Sequence, residues 1–224
     1  MVFTVTTNST LTWLWVTEYY LDTGTGSHGS VDVGDGWRTN GASATITATA
    51  DSGYRFSGWS GDVVSGVNPL ALSMTQAVTV VANFAMNQFT ITVSNSPAGT
   101  VTPSGIVNTV YGENRTITVQ ADPDAHIADI KVDGAAAGVF TSDSNLCTVA
   151  FTAIAADHTL YARFNRKPVA DVAVSPATGS VPMRIMFDFS DSTDSDGSII
   201  RCEIDKDGDG IFESSADGLG QVEV

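Results

Sequence analysis

The chain has 224 residues, with 10 Lys or Arg against 25 Asp or Glu and a formal net charge of −15. Nucleic-acid binding relies on clustered basic side chains that neutralise phosphates, so this charge balance excludes nucleic acid as a partner. The sequence also lacks any run of 18 apolar residues, so no membrane insertion is expected of this fragment.

Apolar residues recur at every second position rather than with helical spacing. TITATA (45–50), TVVANF (79–84) and FTITV (89–93) show this alternation, and no segment keeps an apolar stripe at helical spacing over three turns. Successive side chains of a strand point to opposite faces, so the alternation predicts short, half-buried strands. The fold class we predict is therefore all-β.

The first predicted element is a strand near the N-terminus. Residues 8–15 (NSTLTWLW) align with residues 157–164 (DHTLYARF). Its alternate apolar side chains are predicted to face inward, and these are Leu11, Trp13 and Trp15. We interpret residues 1–17 as the closing strand of an upstream repeat and the chain as a fragment of a longer protein.

An internal repeat defines the next two modules, residues 18–86 and 87–165. At an offset of about 71, TITATADSGYRFSGW (45–59) lies over TITVQADPDAHIADI (116–130). This places Phe56 over Ile127 and Trp59 over Ile130. A position that holds Trp in one copy and Ile in the other supplies volume, so we predict that Trp59 belongs to the core and is not a ligand platform.

The closing strands of the two modules align after the register slips by nine residues. Residues 78–84 match residues 158–164, which predicts that Asn83 and Arg163 face outward and their apolar neighbours inward. The slip falls in residues 65–73 and 135–144, which we expect to be variable surface loops. Asp51 and Asp122 each follow a strand and are predicted turn residues. Asp133 and Gly134 predict a hairpin turn.

The repeated motifs resemble the divergent internalin B-repeat family of bacterial surface proteins. The similarity lies in four motifs: DSGYRFSGWSGD (51–62), MTxxVTVxANF in the closing strand (74–84), PAGTVTPSG (97–105) and YGEN (111–114). Arrays of such repeats serve as spacers and adhesive stalks. The resemblance therefore implies a secreted or cell-surface protein whose partners are the other modules of the same long chain, with a surface protein or a glycan as a further partner.

The composition changes after residue 165. SPATGSVP (175–182), FDFSDSTDSDGSI (187–199) and CEIDKDGDG (202–210) resemble the start of a polycystic kidney disease (PKD) domain, which is an immunoglobulin-like β-sandwich. Such a domain needs roughly 80 residues for its seven strands. Residues 166–224 are therefore predicted to be a partial PKD-like module. Its cluster Asp188, Asp191, Asp194 and Asp196 is expected to be a solvated loop.

Residues 205–213 (DKDGDGIFE) fit the first nine positions of a calcium-binding loop. Alternating carboxylates let such a loop surround a hard cation with oxygen atoms, and Gly210 would permit the sharp turn. The predicted ligands are Asp205, Asp207, Asp209, the carbonyl oxygen of Ile211, and Glu213. The alternative is an acidic hairpin turn, because DGDG is also ordinary turn sequence.

No catalytic constellation is present in the sequence. His28, His126 and His158 stand apart, and neither HExxH nor GxSxG occurs, so the chain is not expected to be an enzyme. The two cysteines, Cys147 and Cys202, fall in different predicted modules, and a disulfide between them is not expected.

Two aromatic residues are weak candidates for ligand binding. Trp37 and Tyr54 have no aromatic counterpart in the second repeat, and each could stack on a glycan or fill an edge between repeats. We therefore expect a non-catalytic structural or adhesive region, with an accessory carbohydrate-binding region of an extracellular hydrolase as the alternative.

Overall fold

A computed structural model describes residues 4, 7–8, 10, 12–137, 145–180, 184–205, 208–212, 214–218 and 221–223. Strands and turns account for all regular structure in these residues, which confirms the predicted all-β class. Within the described ranges, no helix is long and apolar enough to cross a bilayer. The chain divides into two compact units, Met1–Gln88 and Phe89–Val224.

The first unit consists of two sets of strands around one core. Its strands are β1 (Glu18–Thr25), β2 (Gly29–Val31), β3 (Gly36–Thr39), β4 (Ser43–Ile46), β5 (Ala48–Ala50), β6 (Tyr54–Gly61), β7 (Leu70–Ser73) and β8 (Val78–Met86). Four of them form a mixed sheet in the order β3-β1-β8-β6, in which β1 and β8 are parallel. The others form two antiparallel pairs, β2 with β5 and β4 with β7.

The second unit begins with the same arrangement. Its first strands are β9 (Gln88–Asn95), β10 (Gly99–Thr102), β11 (Gly105–Val110), β12 (Arg115–Ala121), β13 (Ala125–Val132), β14 (Ala135–Ala136), β15 (Leu146–Phe151) and β16 (His158–Arg166). The mixed sheet has the order β11-β9-β16-β13-β14, and β9 is parallel to β16. The facing sheet has the order β10-β12-β15.

The two repeats agree in detail at the pairing of their long strands. In the first, Phe56 pairs with Phe84 and Trp59 with Ala82, with a register shift between Phe56 and Gly58. In the second, the pairing of β13 with β16 has its register shift at the equivalent positions, between Ile127 and Asp129. The strand pairing therefore confirms the alignment made from the sequence, including the slip of nine residues.

Each repeat has its own buried cluster. The first contains Leu21, Ile46, Trp59, Met74 and Val80 among its most buried members. The second contains Ile91, Ile117, Ile127, Ile130, Ile154, Leu160 and Phe164. Alternate side chains of β8 and β16 enter these clusters, as the period-two alternation predicted.

The predicted turns are present at the predicted places. The amide of Tyr54 donates to the main-chain oxygen of Asp51 at 3.0 Å, and that of Ala125 donates to the oxygen of Asp122 at the same distance. Asp133 and Gly134 have φ values of 52° and 79° and join β13 to β14, which confirms the hairpin.

Two expectations from the sequence need correction. The first predicted variable loop (65–73) contains strand β7, which pairs with β4 because Leu70 and Leu72 alternate towards the core. Near the N-terminus, residues 12–17 form no strand, and Trp13 and Trp15 are 75% and 92% exposed rather than inward-facing. Leu11 lies outside the described residues.

In the described part of the second unit after the repeat there are five short strands. They are β17 (Ala173–Ser175), β18 (Met186–Asp188), β19 (Arg201–Ile204), β20 (Ser214–Asp217) and β21 (Gln221–Glu223). They form a three-stranded sheet, β17-β18-β21, and a hairpin of β19 with β20. In the part of residues 166–224 that the structure describes, Phe189 is buried, whereas Val169, Ile200 and Phe212 are exposed.

Candidate functional site

Trp37 lies on the outer face of the first mixed sheet. It pairs in register with Tyr20, and because Leu21 points into the core, Tyr20 and Trp37 share the opposite face. The two rings make an edge-to-face contact with centroids 5.3 Å apart. Trp37 is 64% exposed, so most of its surface is accessible to a ligand.

Tyr54 lies on the other face of the same sheet. It pairs with Met86 at the end of β6, and its ring is stacked on His28 with centroids 4.0 Å apart and an interplanar angle of 5°. His28 precedes β2 and has a positive φ of 75°. The structure therefore does not bring Trp37 and Tyr54 together, and one face of Tyr54 is already covered by an aromatic partner.

Trp59 is part of the core, as predicted. It is only 2% exposed and contacts Phe56 with ring centroids 5.3 Å apart. Its indole N–H donates to the carbonyl oxygen of Val67 at 2.9 Å. This bond satisfies the polar edge of the ring and anchors the following loop, so Trp59 is unavailable for stacking on a ligand.

The predicted calcium loop connects strands β19 and β20. Asp205 accepts hydrogen bonds from the amides of Gly208 (2.7 Å) and Gly210 (2.9 Å), and Asp209 accepts one from the amide of Ile211 (2.8 Å). Gly210 has a φ of 88°, which confirms its predicted role in the sharp turn.

Only part of the predicted ligand set can be placed. Asp207 and Glu213 lie outside the described residues. Within the described part of the chain, no group of three His, Cys, Asp or Glu side chains is arranged to hold a metal ion. Asp205 and Asp209 are on one loop with carboxylate oxygens, which is the donor type that calcium prefers, and calcium binding stays a prediction.

Acidic residues with shifted pKa values are candidates for catalytic groups. In this chain such residues accept hydrogen bonds from neighbouring side chains and main-chain amides that stabilise the fold. The pKa of Asp133 is lowered by the hydrogen bond from His158, whose Nδ1 is 2.7 Å from Oδ2, and by the amide of Thr159. The pKa of Glu113 is lowered by the hydroxyl of Thr109 and the amide of Val110.

Two acids of the first repeat behave in the same way. The amide of Thr47 lowers the pKa of Asp32, and the amide of Thr23 lowers that of Asp35. Asp32 follows the last residue of β2 and Asp35 precedes the first residue of β3, so both carboxylates accept main-chain hydrogen bonds next to a strand end. Their chemistry is that of turn and strand-end stabilisation.

Some structurally important residues were missed in the sequence. The side chain of Asn68 bonds both the amide and the carbonyl oxygen of Ala48, at 2.9 and 2.8 Å, beside the break between β4 and β5. Asp62 accepts from the amide of Thr79 at 2.8 Å, just as Asp133 accepts from that of Thr159. The shared role of Asp62 and Asp133 could have been predicted from the sequence, because the two residues occupy equivalent positions in the two repeats.

Comparison with known proteins identifies a family for the two repeats. The model of the family described as divergent InlB B-repeat domain matches the chain twice, over residues 19–88 and 89–168. No curated protein matches the chain. No solved structure matches it either. The two family matches together span about two thirds of the 224 residues, and each corresponds to one of the repeats described above.

Proposed function

The chain belongs to the divergent InlB B-repeat family, and from that premise we propose that it is a non-catalytic spacer or adhesive region of a larger secreted or cell-surface protein. Its partners would be the other modules of the same long chain. The observation that carries this proposal is the duplication of one self-contained unit, in which each copy has its own core and the same strand order. Repeats of this kind extend a chain by stacking further copies.

The residue chemistry of the repeats supports a structural role. Carboxylates with a lowered pKa, such as that of Asp133, accept hydrogen bonds from main-chain amides. Trp59, in the motif GYRFSGWSGD, is a core residue. A net charge of −15 keeps such a region soluble and separated from other acidic surfaces. In this proposal residues 166–224 are a PKD-like module that follows the repeats, and residues 205–213 bind calcium weakly.

A second function is favoured by one observation. Trp37 and Tyr20 form an accessible aromatic pair on a sheet face, and the equivalent positions of the second repeat hold Asn108 and Thr90. Aromatic rings of this kind stack on sugars, which would suit an accessory carbohydrate-binding region of an extracellular hydrolase. Glycan binding that is lost in Trp37→Ala, with the unfolding temperature unchanged, would favour this second function.

The spacer proposal predicts how length depends on the number of repeats. A unit of 70 to 80 residues has a diameter of about 30 Å. Duplication of residues 89–168 within the chain should therefore raise the maximum dimension by about 20 to 30 Å in small-angle X-ray scattering. A maximum dimension that stays constant while the mass rises would contradict a spacer role.

A further inference from the structure

The second unit contains a cleft between the closing strand of its repeat and the segment that follows. The cleft has a volume of about 460 Å³, within the range of sites that hold small ligands. One wall is the outer face of β16 with Tyr161, Arg163 and Asn165, and the other contains Ser195 and Asp196. Ser96 and Pro97 close one end.

The wall on β16 presents an aromatic ring and a cation side by side. Ala162 and Phe164 are buried, so Tyr161 and Arg163 project from the opposite face of the strand, about 7 Å apart along it. Tyr161 is 41% exposed. The guanidinium of Arg163 has no hydrogen bond or ion pair with any residue that the structure describes. Its donors therefore remain available to a ligand.

The opposite wall is held in place by main-chain hydrogen bonds. Both carboxylate oxygens of Asp196 accept from the amide of Arg166, at 3.1 and 3.0 Å. Val169 and Thr193 exchange a pair of backbone hydrogen bonds at 2.8 and 3.0 Å. The buried hydroxyl of Ser192 also bonds the amide and the oxygen of Asp171. The cleft is consequently formed before a ligand arrives.

The charges that line the cleft balance one another. Arg166 forms an ion pair with Asp124, which leaves the positive charge of Arg163 facing the negative charge of Asp196. A strongly anionic or cationic ligand would gain little from such a site. An uncharged ligand with several hydroxyl groups could bond to the guanidinium, the amide of Asn165 and the unused lone pairs of Asp196.

The first repeat lacks this combination. The positions equivalent to Tyr161 and Arg163 are Val81 and Asn83, and the Asn83 amide bonds the main-chain oxygen of Gly58 and the hydroxyl of Ser60. The shared fold therefore does not require a ring and a guanidinium at these positions. They are extra features of the second repeat, and they line a cleft together with Ser195 and Asp196.

From this geometry we propose that the cleft binds a neutral saccharide, with one sugar ring stacked on Tyr161 and its hydroxyl groups bonded to Arg163, Asn165 and Asp196. An aromatic plane beside planar polar groups matches the apolar face and the hydroxyl rim of a sugar ring. The inference goes beyond the spacer role and does not depend on it. It also uses different residues from the Trp37 surface.

The test is isothermal titration calorimetry of the whole chain with hexasaccharides of β-1,4-linked glucose, xylose, mannose and N-acetylglucosamine, and with hexagalacturonate as an acidic probe. The double variant Tyr161→Val/Arg163→Asn places the residues of the first repeat in the second, so its fold should be retained, as thermal unfolding would check. Ile106→Ala, at an exposed position that does not line the cleft, is the matched control, and Trp37→Ala tests the aromatic surface of the first repeat separately. We expect at least one neutral probe to bind, the double variant to weaken it at least tenfold, and the control to leave it unchanged.

Three results would overturn the proposal. These are binding of none of the neutral probes at millimolar concentration, binding of hexagalacturonate alone, and neutral binding that survives in the folded double variant. Loss of binding in Trp37→Ala but not in the double variant would assign recognition to the first repeat. Because none of these experiments measures length, their failure is distinguishable from failure of the spacer proposal.

Discussion

The ring of Phe164 occupies the space where a side chain at Gly99 would lie. A Cβ built on Gly99 would come within 2.5 Å of the ring. The first repeat has the same relationship between Phe84 and Gly29, at 2.3 Å. In both copies the aromatic residue of the closing strand covers the first residue of a strand in the facing sheet, so this contact joins the two sheets of each repeat.

The first prediction follows from this contact. Gly29→Ala should destabilise the first repeat by about 1 to 3 kcal/mol, because the methyl group would force the ring of Phe84 out of its place. Gly34→Ala is the matched control, since a Cβ there meets nothing within 4 Å, and it should be neutral or slightly stabilising. Urea unfolding of both variants measures the difference. Equal stability of the two would show that the ring can move at little cost.

A second prediction concerns Trp59. Trp59→Ala should cost about 3 to 5 kcal/mol, because it leaves a cavity in the core. Trp59→Ile should cost clearly less, because the equivalent residue Ile130 fills the same position in the second repeat. Chemical unfolding of the two variants provides the comparison. Equal losses would mean that the bond to the Val67 oxygen, and not volume, is what the site requires.

A third prediction concerns acid stability. The pKa of Asp133 is lowered in the folded chain by His158 and Thr159, so the folded state favours the ionised carboxylate. This contribution is fully present above the unfolded pKa of about 3.9 and is lost as pH falls through the lower folded pKa. The urea midpoint of the wild type, relative to Asp133→Asn, should therefore fall as the pH is lowered through the range below about pH 4. A difference that is constant over this window would contradict the assignment.

The fourth prediction concerns calcium. If residues 205–213 bind the ion, millimolar calcium should raise the unfolding temperature of the second unit, and removal by a chelator should reverse it. Asp209→Asn is a mild test variant, because its single amide oxygen can still accept the hydrogen bond that Oδ1 of Asp209 receives from the amide of Ile211. It should abolish the calcium effect with little change in stability without calcium. An unfolding temperature that does not respond to calcium would show that the loop is an acidic turn and not a calcium site.

Most features of the fold that could be predicted from the sequence came from the alignment of the two repeats. Two copies of one pattern distinguish residues that supply volume from residues that supply chemistry, and this assigned Trp59 and Ile130 to the core. The same comparison located the turns at Asp51 and Asp122, because a turn residue is retained while its neighbours change.

The sequence could not provide contacts that depend on strand order. Strand β7 lies in a segment where the two copies differ in length, which concealed it in the sequence. The stack of Tyr54 on His28 joins strand β6 to the turn that precedes β2. The cleft at Arg163 needs a second wall from beyond the repeat, so an outward-facing residue was predictable there but a binding site was not.

The spacer function requires that each repeat is a complete folding unit with its own core. Hydrogen–deuterium exchange of Trp59→Ala under native conditions tests this claim, because the substitution weakens only the first core. We predict faster exchange in strands β1 to β8 and unchanged protection in β9 to β16. An equal rise in exchange across both repeats would contradict the claim and the spacer function that rests on it.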